Sequence, residues 1–221
     1  MSSEGVRRRC EEVLRQVPAH VTVLAATKGR RPTEIRAAIA AGISHVGENY
    51  VQEALAKRPL VPEPVTWHMI GHLQRNKAKK ALEVFDWLQT LDSLRLAGRL
   101  ERLLAQAEKT LPVLIEVNIG REPQKAGVLP EELPDFLQEL SRFPHLQVRG
   151  LMAIPPLPEK PEDSRPHFRE MRRLFEDLSR EEIPGVRMEV LSMGMSVDWE
   201  VAVEEGATMI RLGTALFGPR V

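Results

Sequence analysis

Cysteine is almost absent from this sequence: Cys10 is the single one among 221 residues. One thiol cannot close an internal disulfide, and no zinc-ligand spacing occurs, so a reducing compartment, the cytoplasm, is expected, with no structural metal. Long apolar runs are missing too. The opening stretch MSSEGVRRRCEEVLRQV lacks the apolar core of a signal peptide, and no segment approaches the length of a membrane span. Charge of one sign is also missing, because Lys plus Arg, at 31, equals Asp plus Glu, also 31. That balance offers no basic footprint for nucleic acid and no field to steer an acidic partner. The runs Arg7-Arg8-Arg9 and KAKK at 77–80 read as solvated helix faces. A G-x-S-x-G nucleophile elbow is absent, and so is a glycine-rich dinucleotide fingerprint: ATKGRRPTE carries one glycine.

What is present is a repeating alternation. Short apolar or β-branched runs at 21–27, 45–49, 65–70, 87–91, 113–118, 147–154, 187–192 and 209–212 predict eight strands. Several, such as VTVLAAT and VLIEVN, lack polar alternation, as expected of parallel strands buried on both faces. Helical patterns lie between them. Thr33 is the expected cap of one, with Ile35, Ala38 and Ile39 as its stripe and Gly42 as its stop. Asp92-Ser93 precedes another, in which Leu96, Leu100, Leu103 and Ala107 share a face. The sets Leu133, Phe136, Leu137, Leu140 and Phe168, Met171, Leu174, Phe175, Leu178 repeat that spacing. A further helix after Ser3 precedes the first strand and is expected to close one end. The fold expected is a single-domain (β/α)8 barrel over 1–221, with an open doubly wound sheet as runner-up.

In such barrels chemistry collects at the carboxyl ends of the strands, and phosphate at the loops after strands seven and eight. Lys28 ends strand one. A lysine at an apolar mouth loses solvation of its charged form, and the neutral amine attacks carbonyls. Ser192-Met193-Gly194 follows strand seven, while Arg211, Gly213 and Thr214 end strand eight; glycines admit a phosphate and hydroxyls donate to it. Ser196 is the expected cap of a helix starting near Asp198. Asn49 ends strand two, and Met152 lies where a pocket lining or a core methionine would serve equally. His68 and His72 do not share a helical face and read as structural. Glu48 and Glu116 lack an evident partnership of the kind glycosidases need. The segments 120–130 and 155–161 read as loops over the active face.

These residues sit in long blocks that arrive in a familiar order. They are ATK at 26–28, GENYVQEA at 47–54, WHMIGHLQRNKAK at 67–79, FDWLQTLDSLRLA at 85–97, GLMAIPP at 150–156 and LSMGMSVDWEVAVEEGATMIRLGTALFG at 191–218. The chain thereby resembles the pyridoxal phosphate homeostasis proteins, stand-alone relatives of the barrel domain of alanine racemase, over nearly its whole length. The resemblance implies that pyridoxal 5′-phosphate (PLP) is held as a Schiff base on Lys28. Ser192, Gly194, Gly213 and Thr214 would form the phosphate cup, Asn49 and Met152 would surround the ring, and Arg211 would face the pyridine nitrogen. Thr27, Val197 and Trp199 depart from residues common in that family and leave the implied site intact.

An arginine cannot accept a hydrogen bond, so a ring nitrogen facing Arg211 stays unprotonated and the cofactor's electron sink is weakened. Racemisation also needs an acid/base on each face of the substrate carbon. The sequence ends at Val221, before any second domain, and Tyr50 is its one tyrosine. The expected function is therefore cofactor holding and delivery, without a catalytic residue and without robust turnover. The expected partners are PLP and, transiently, apo PLP-dependent enzymes, with the chain a monomer. A small racemase-like PLP enzyme and a Schiff-base barrel aldolase using Lys28 are the alternatives.

Overall fold

The computed structural model describes residues 2–219. Its strands are β1 (Thr22–Ala26), β2 (His45–Glu48), β3 (Thr66–Met69), β4 (Trp87–Leu91), β5 (Leu111–Val117), β6 (Leu146–Ala153), β7 (Val186–Met195) and β8 (Met209–Leu212). Each pairs in parallel with its sequence neighbour, and β8 pairs back onto β1, so the sheet closes into a barrel. The (β/α)8 expectation holds, and the open-sheet alternative falls. Helices α2 (Pro32–Ala40), α3 (Val51–Lys57), α4 (Ala78–Val84), α5 (Leu94–Ala107), α6 (Leu133–Leu140), α7 (Arg165–Ser179), α8 (Trp199–Glu204) and α9 (Thr214–Phe217) connect and flank the strands. Among the described residues, no helix is long and apolar enough to cross a membrane.

The helical stripes sit where their spacing places them. In α5, Leu96, Leu100 and Leu104 are buried, and the Ser93 side chain accepts from the Leu96 amide; Ala107 shares that face but is the last residue of the helix and is exposed. In α7 the buried set is Phe168, Met171, Phe175 and Leu178. Thr33 does not cap α2. Pro32 occupies the first turn, which starts the helix earlier, and the Glu34 carboxylate accepts from the Arg31 amide at 2.9 Å. The first helix, α1 (Ser3–Gln16), packs against α2 and α9 and buries Val6 and Cys10. It thus joins the outer helical layer beside the β1–β8 seam, where α9 is only four residues long, and is not a lid on one end.

Two kinds of core result. The large apolar cluster lies between strands and helices and includes Val23, Val46, Trp67, Ile115 and Ile210. Inside the ring, Leu24, Ile70 and Met209 form a small apolar cluster. Above and around it the lumen is polar. Gln89 of β4 contacts the sulfur of Met209 on β8, a contact between non-neighbouring strands that has to cross the barrel interior. The two expected loops meet over the ends of β5 and β6: Lys125 Nζ donates to the Pro155 carbonyl at 3.2 Å, and the Asn118 side chain pins the Glu122 backbone.

One glycine fixes the β6–β7 register. Gly150 has φ +145°, the pairing shifts between Val148 and Gly150, and a Cβ there would stand 1.9 Å from the Val190 carbonyl oxygen. Such a bulge requires glycine. Gly150→Ala is therefore expected to destabilise the barrel by about 3 kcal/mol, the upper end of ordinary overpacking costs. Urea denaturation reads this as a lowered midpoint; an unchanged midpoint would show that β6 and β7 can part without cost.

Candidate functional site

The backbone on either side of Lys28 is held by buried charge. Thr27 Oγ1 donates to Glu48 Oε1 at 2.7 Å, and Lys57 Nζ donates to the same oxygen at 2.7 Å and to the Thr27 carbonyl at 2.7 Å. Glu53 Oε1 accepts from Lys57 Nζ at 2.6 Å and from the Gly29 amide at 2.6 Å. The peptides before and after Lys28 are thus pinned by one ammonium and two carboxylates. The i, i+4 spacing of Glu53 and Lys57 on α3 is the sequence signal for that pair; the reach of Lys57 back to β1 has none. Lys28 itself is half-buried, its Nζ 5.6 Å from the centroid of the Tyr50 ring.

Lys28 opens onto a cleft of about 160 Å³ lined by Ala26, Lys28, Arg30, Asn49, Gly213 and Thr214. Four residues expected at the site, Lys28, Asn49, Gly213 and Thr214, are thereby brought together. A Cβ on Gly213 would meet only Ala26, at 3.8 Å, so the cleft narrows by a methyl group wherever that glycine is lost. The Asn49 side-chain amide makes no hydrogen bond among the described residues. Arg30 was not singled out in the sequence. It donates to the Phe217 and Gly218 carbonyls at 3.3 and 2.5 Å, tying the end of α9 to the β1 loop and setting a cation on the cleft wall.

The serine beside this cleft is Ser196. Its Oγ accepts from the Gly213 amide at 3.1 Å and from the Ala215 amide at 3.1 Å, so it caps α9 across the loop; α8 is instead entered at Asp198. Ser192 is fully buried and does not reach the cleft: its hydroxyl donates to Gln89 Oε1 at 2.8 Å and accepts from Arg211 Nη1 at 2.7 Å. Gly194 is buried as well. A Cβ there would stand 2.5 Å from the Ala202 Cβ, so the approach of α8 explains this glycine. Met152 is fully buried between β5 and β7 and belongs to the packed interior. Arg211 lies beneath the mouth, held by Ser192 and by the Ala153 carbonyl, the latter at 2.8 Å. Burial pulls its guanidinium down to about 10, against the pull of Glu116 and Asp198.

The remaining titratable groups divide clearly. His68 is fully buried, bonded to His45 and Gln89, and burial pushes it down to about 3. His72 pairs with Asp92 at 3.1 Å. Among the described residues, no three His, Cys, Asp or Glu side chains gather as a metal site. Glu48 is tied to Lys57 and Thr27, so Glu48 and Glu116 do not form a catalytic carboxylate pair. Glu116, on β5, keeps a buried Oε2 without a partner, and burial raises it to about 7, helped by Asp92 and opposed by Arg211 and His72.

That carboxyl makes stability depend on pH. Between pH of about 4.5 and about 7 the folded state keeps a proton that the unfolded state has released, so stability falls as pH rises through this window. The loss amounts to about 3 kcal/mol, since a tenfold change in proton affinity is worth about 1.4 kcal/mol. Glu116→Gln is expected to remove this slope. Urea midpoints of both proteins from pH 4 to 8 measure it, and parallel curves would mean that Glu116 is hydrated in the fold.

Comparison with known proteins places this geometry. The model of the alanine racemase N-terminal domain matches residues 3–221. A pyridoxal phosphate homeostasis protein of Aquifex aeolicus is 41% identical over 218 residues, covering 98% of this chain and 94% of its own length. The protein of that name from Escherichia coli K12 is 39% identical over 207 residues, 92% and 87% of the two chains. The solved structure of PipY from Synechococcus elongatus with PLP bound superposes with a TM-score of 0.88 at 40% identity, covering 96% of this chain and all of that one. Alanine racemase of Bacillus anthracis shares the fold at 18% identity and a TM-score of 0.77, with 98% of this chain matching 56% of the racemase. Matched to the homeostasis proteins along nearly their whole length, and covering little more than half of the racemases, the chain belongs to the pyridoxal phosphate homeostasis protein family, built on the alanine racemase N-terminal domain.

Proposed function

We propose that this barrel holds PLP as a Schiff base on Lys28 and stores and releases it for PLP-dependent enzymes, without turning over a substrate of its own. The observation that carries this is the convergence of Lys28, Asn49, Gly213 and Thr214 on one cleft. The donor set fits the cofactor. A primary amine stands ready for its aldehyde, and small residues with a serine hydroxyl border a space for its phosphate. Arg30 adds positive charge on the wall.

When bound, the cofactor would supply an aldehyde able to form a reversible C=N link with the Lys28 amine. The chain's own residues do the rest. Glu48, Glu53 and Lys57 fix the backbone so that Lys28 projects from a rigid stalk. Arg211 presents a cation that can donate and never accept, which keeps a facing pyridine nitrogen unprotonated. Ser192, Gly194 and Met152 act from beneath, the first by holding Arg211 and the others by packing. The holding role is favoured over racemisation by the relatives that match nearly the whole chain, which are homeostasis proteins and not racemases.

Adding PLP to the purified protein is expected to produce a visible absorption band that borohydride removes, with the reduced adduct on Lys28 by mass analysis. Lys28→Ala is expected to show no band. A wild-type protein without a band, or with adducts scattered over Lys77, Lys79 and Lys109, would sink this reading and turn attention to the aldolase alternative.

A further inference from the structure

A hydrogen-bonded chain crosses the barrel lumen and ends on Arg211. Arg211 Nη1 donates to Ser192 Oγ at 2.7 Å, and Ser192 Oγ donates to Gln89 Oε1 at 2.8 Å. Gln89 Nε2 meets His68 Nδ1 at 3.1 Å, and His68 Nε2 meets His45 Nδ1 at 2.9 Å. The members come from β8, β7, β4, β3 and β2 in turn, so the Ser192–Gln89 step spans the interior between strands that are not neighbours.

The polarity of this chain follows from its first member. An arginine only donates, so Ser192 accepts from it and passes its own proton to the Gln89 carbonyl. The Gln89 amide nitrogen then donates, which makes His68 Nδ1 an acceptor and leaves its proton on Nε2, facing an accepting His45 Nδ1. Every bond points away from Arg211, and every acceptor points toward it. Gln89, His68 and Ser192 are fully buried, and no carboxylate bonds to Arg211 among the described residues. The guanidinium is instead met by aligned neutral dipoles and by the Ala153 carbonyl. Chains of this kind strengthen one another in a low-dielectric interior. Trp87 stacks on the His68 ring at 5.5 Å and fixes its plane.

We propose that Ser192, Gln89, His68 and His45 are positioning residues for Arg211: they hold its guanidinium in one rotamer beneath the cleft through a one-way hydrogen-bond chain. The effect on cofactor binding rests on the proposed function, in which Arg211 faces the pyridine ring. The hold on Arg211 itself does not, because it exists without a ligand.

The test uses nitrogen-15-labelled full-length protein without PLP. The Arg211 guanidinium signals, assigned by their loss in Arg211→Lys, are expected to be shifted and to show slow rotation about Cζ–Nη. Ser192→Ala and Gln89→Met, the second keeping side-chain volume, are expected to average those signals while backbone amide shifts away from the lumen stay in place. The dissociation constant for PLP is expected to rise about 10-fold in each, the scale of a lost hydrogen bond to a charged group. Unchanged Arg211 signals in the folded variants overturn the proposal, whatever happens to PLP. Averaged signals with unchanged PLP affinity overturn the part that concerns the cofactor. A wild type that forms no adduct on Lys28 yet shows a locked Arg211, released in both variants, supports the chain and removes only the proposed function.

Discussion

The pairing of β8 with β1 is the constraint on which the site depends. It sets Val23 beside Ile210 and Leu24 beside Arg211, and β2 pairs on the other side of β1. The loop after β1 is thereby flanked by the loop after β2 and by the turn into α9. Asn49 comes from one neighbour, Gly213 and Thr214 from the other, and Lys28 stands between them. The Arg30–Gly218 hydrogen bond, which joins residues 188 apart, reinforces the same seam. Without closure these loops would belong to opposite edges of an open sheet, and no cleft would form.

Charge is buried around this seam in three different ways, and each has a different energetic logic. Lys57 and Glu48, with side chains 9% and 0% exposed, compensate their desolvation by direct pairing and by bonds to Thr27; removing one partner from such a pair commonly costs about 3–5 kcal/mol. Arg211 is hydrogen-bonded to neutral dipoles, a weaker compensation for a buried cation than direct pairing with a carboxylate. Glu116 Oε2 has no hydrogen-bond partner among the described residues, and burial makes the carboxyl hold its proton. The pair anchors backbone, the dipole-held cation faces inward toward the mouth, and the bare carboxyl makes the barrel sensitive to pH. An architecture built only for stability would have little use for the second and third.

Most of the scaffold was legible because strand burial on both faces leaves a distinct mark in sequence. VTVLAAT and VLIEVN lack alternation, and both are barrel strands. The ends of strands were legible as well, which is why Lys28, Asn49, Gly213 and Thr214 could be ranked before any geometry was known. Ser192 and Ser196 could not be separated in this way. Both lie in SMGMS, but β7 runs on to Met195 through a shift in its pairing with β8, so the first serine stays inside the ring and the second caps the turn into α9 beside the cleft. Gly194 read as a phosphate-approach glycine because sequence does not reveal which helix will press against it. Thr33 was displaced as a cap by Pro32, whose preference for the first helical turn is the stronger local signal. The lumen chain had no periodicity to betray it: Ser192, Gln89 and His68 are brought together only by closure.

The contrast between a fixed backbone and an accessible amine bears on what the site is for. Thr27 and Gly29 are locked by Glu48, Glu53 and Lys57, yet among the described residues Lys28 Nζ itself meets an aromatic face on the solvent side, that of the exposed Tyr50. A stalk of this kind lowers the entropy cost of presenting the amine to an aldehyde. It does not exclude water or a competing amine, because the cleft is small and bordered by the exposed Thr214. Enzymes that use such linkages for carbanion chemistry gain from the opposite arrangement, with the reacting atoms sequestered and water expelled. Access from solvent slows no exchange reaction and protects no reactive intermediate. A linkage that must form readily and be surrendered readily is served by a rigid base and an open top, and that is how Lys28 is mounted.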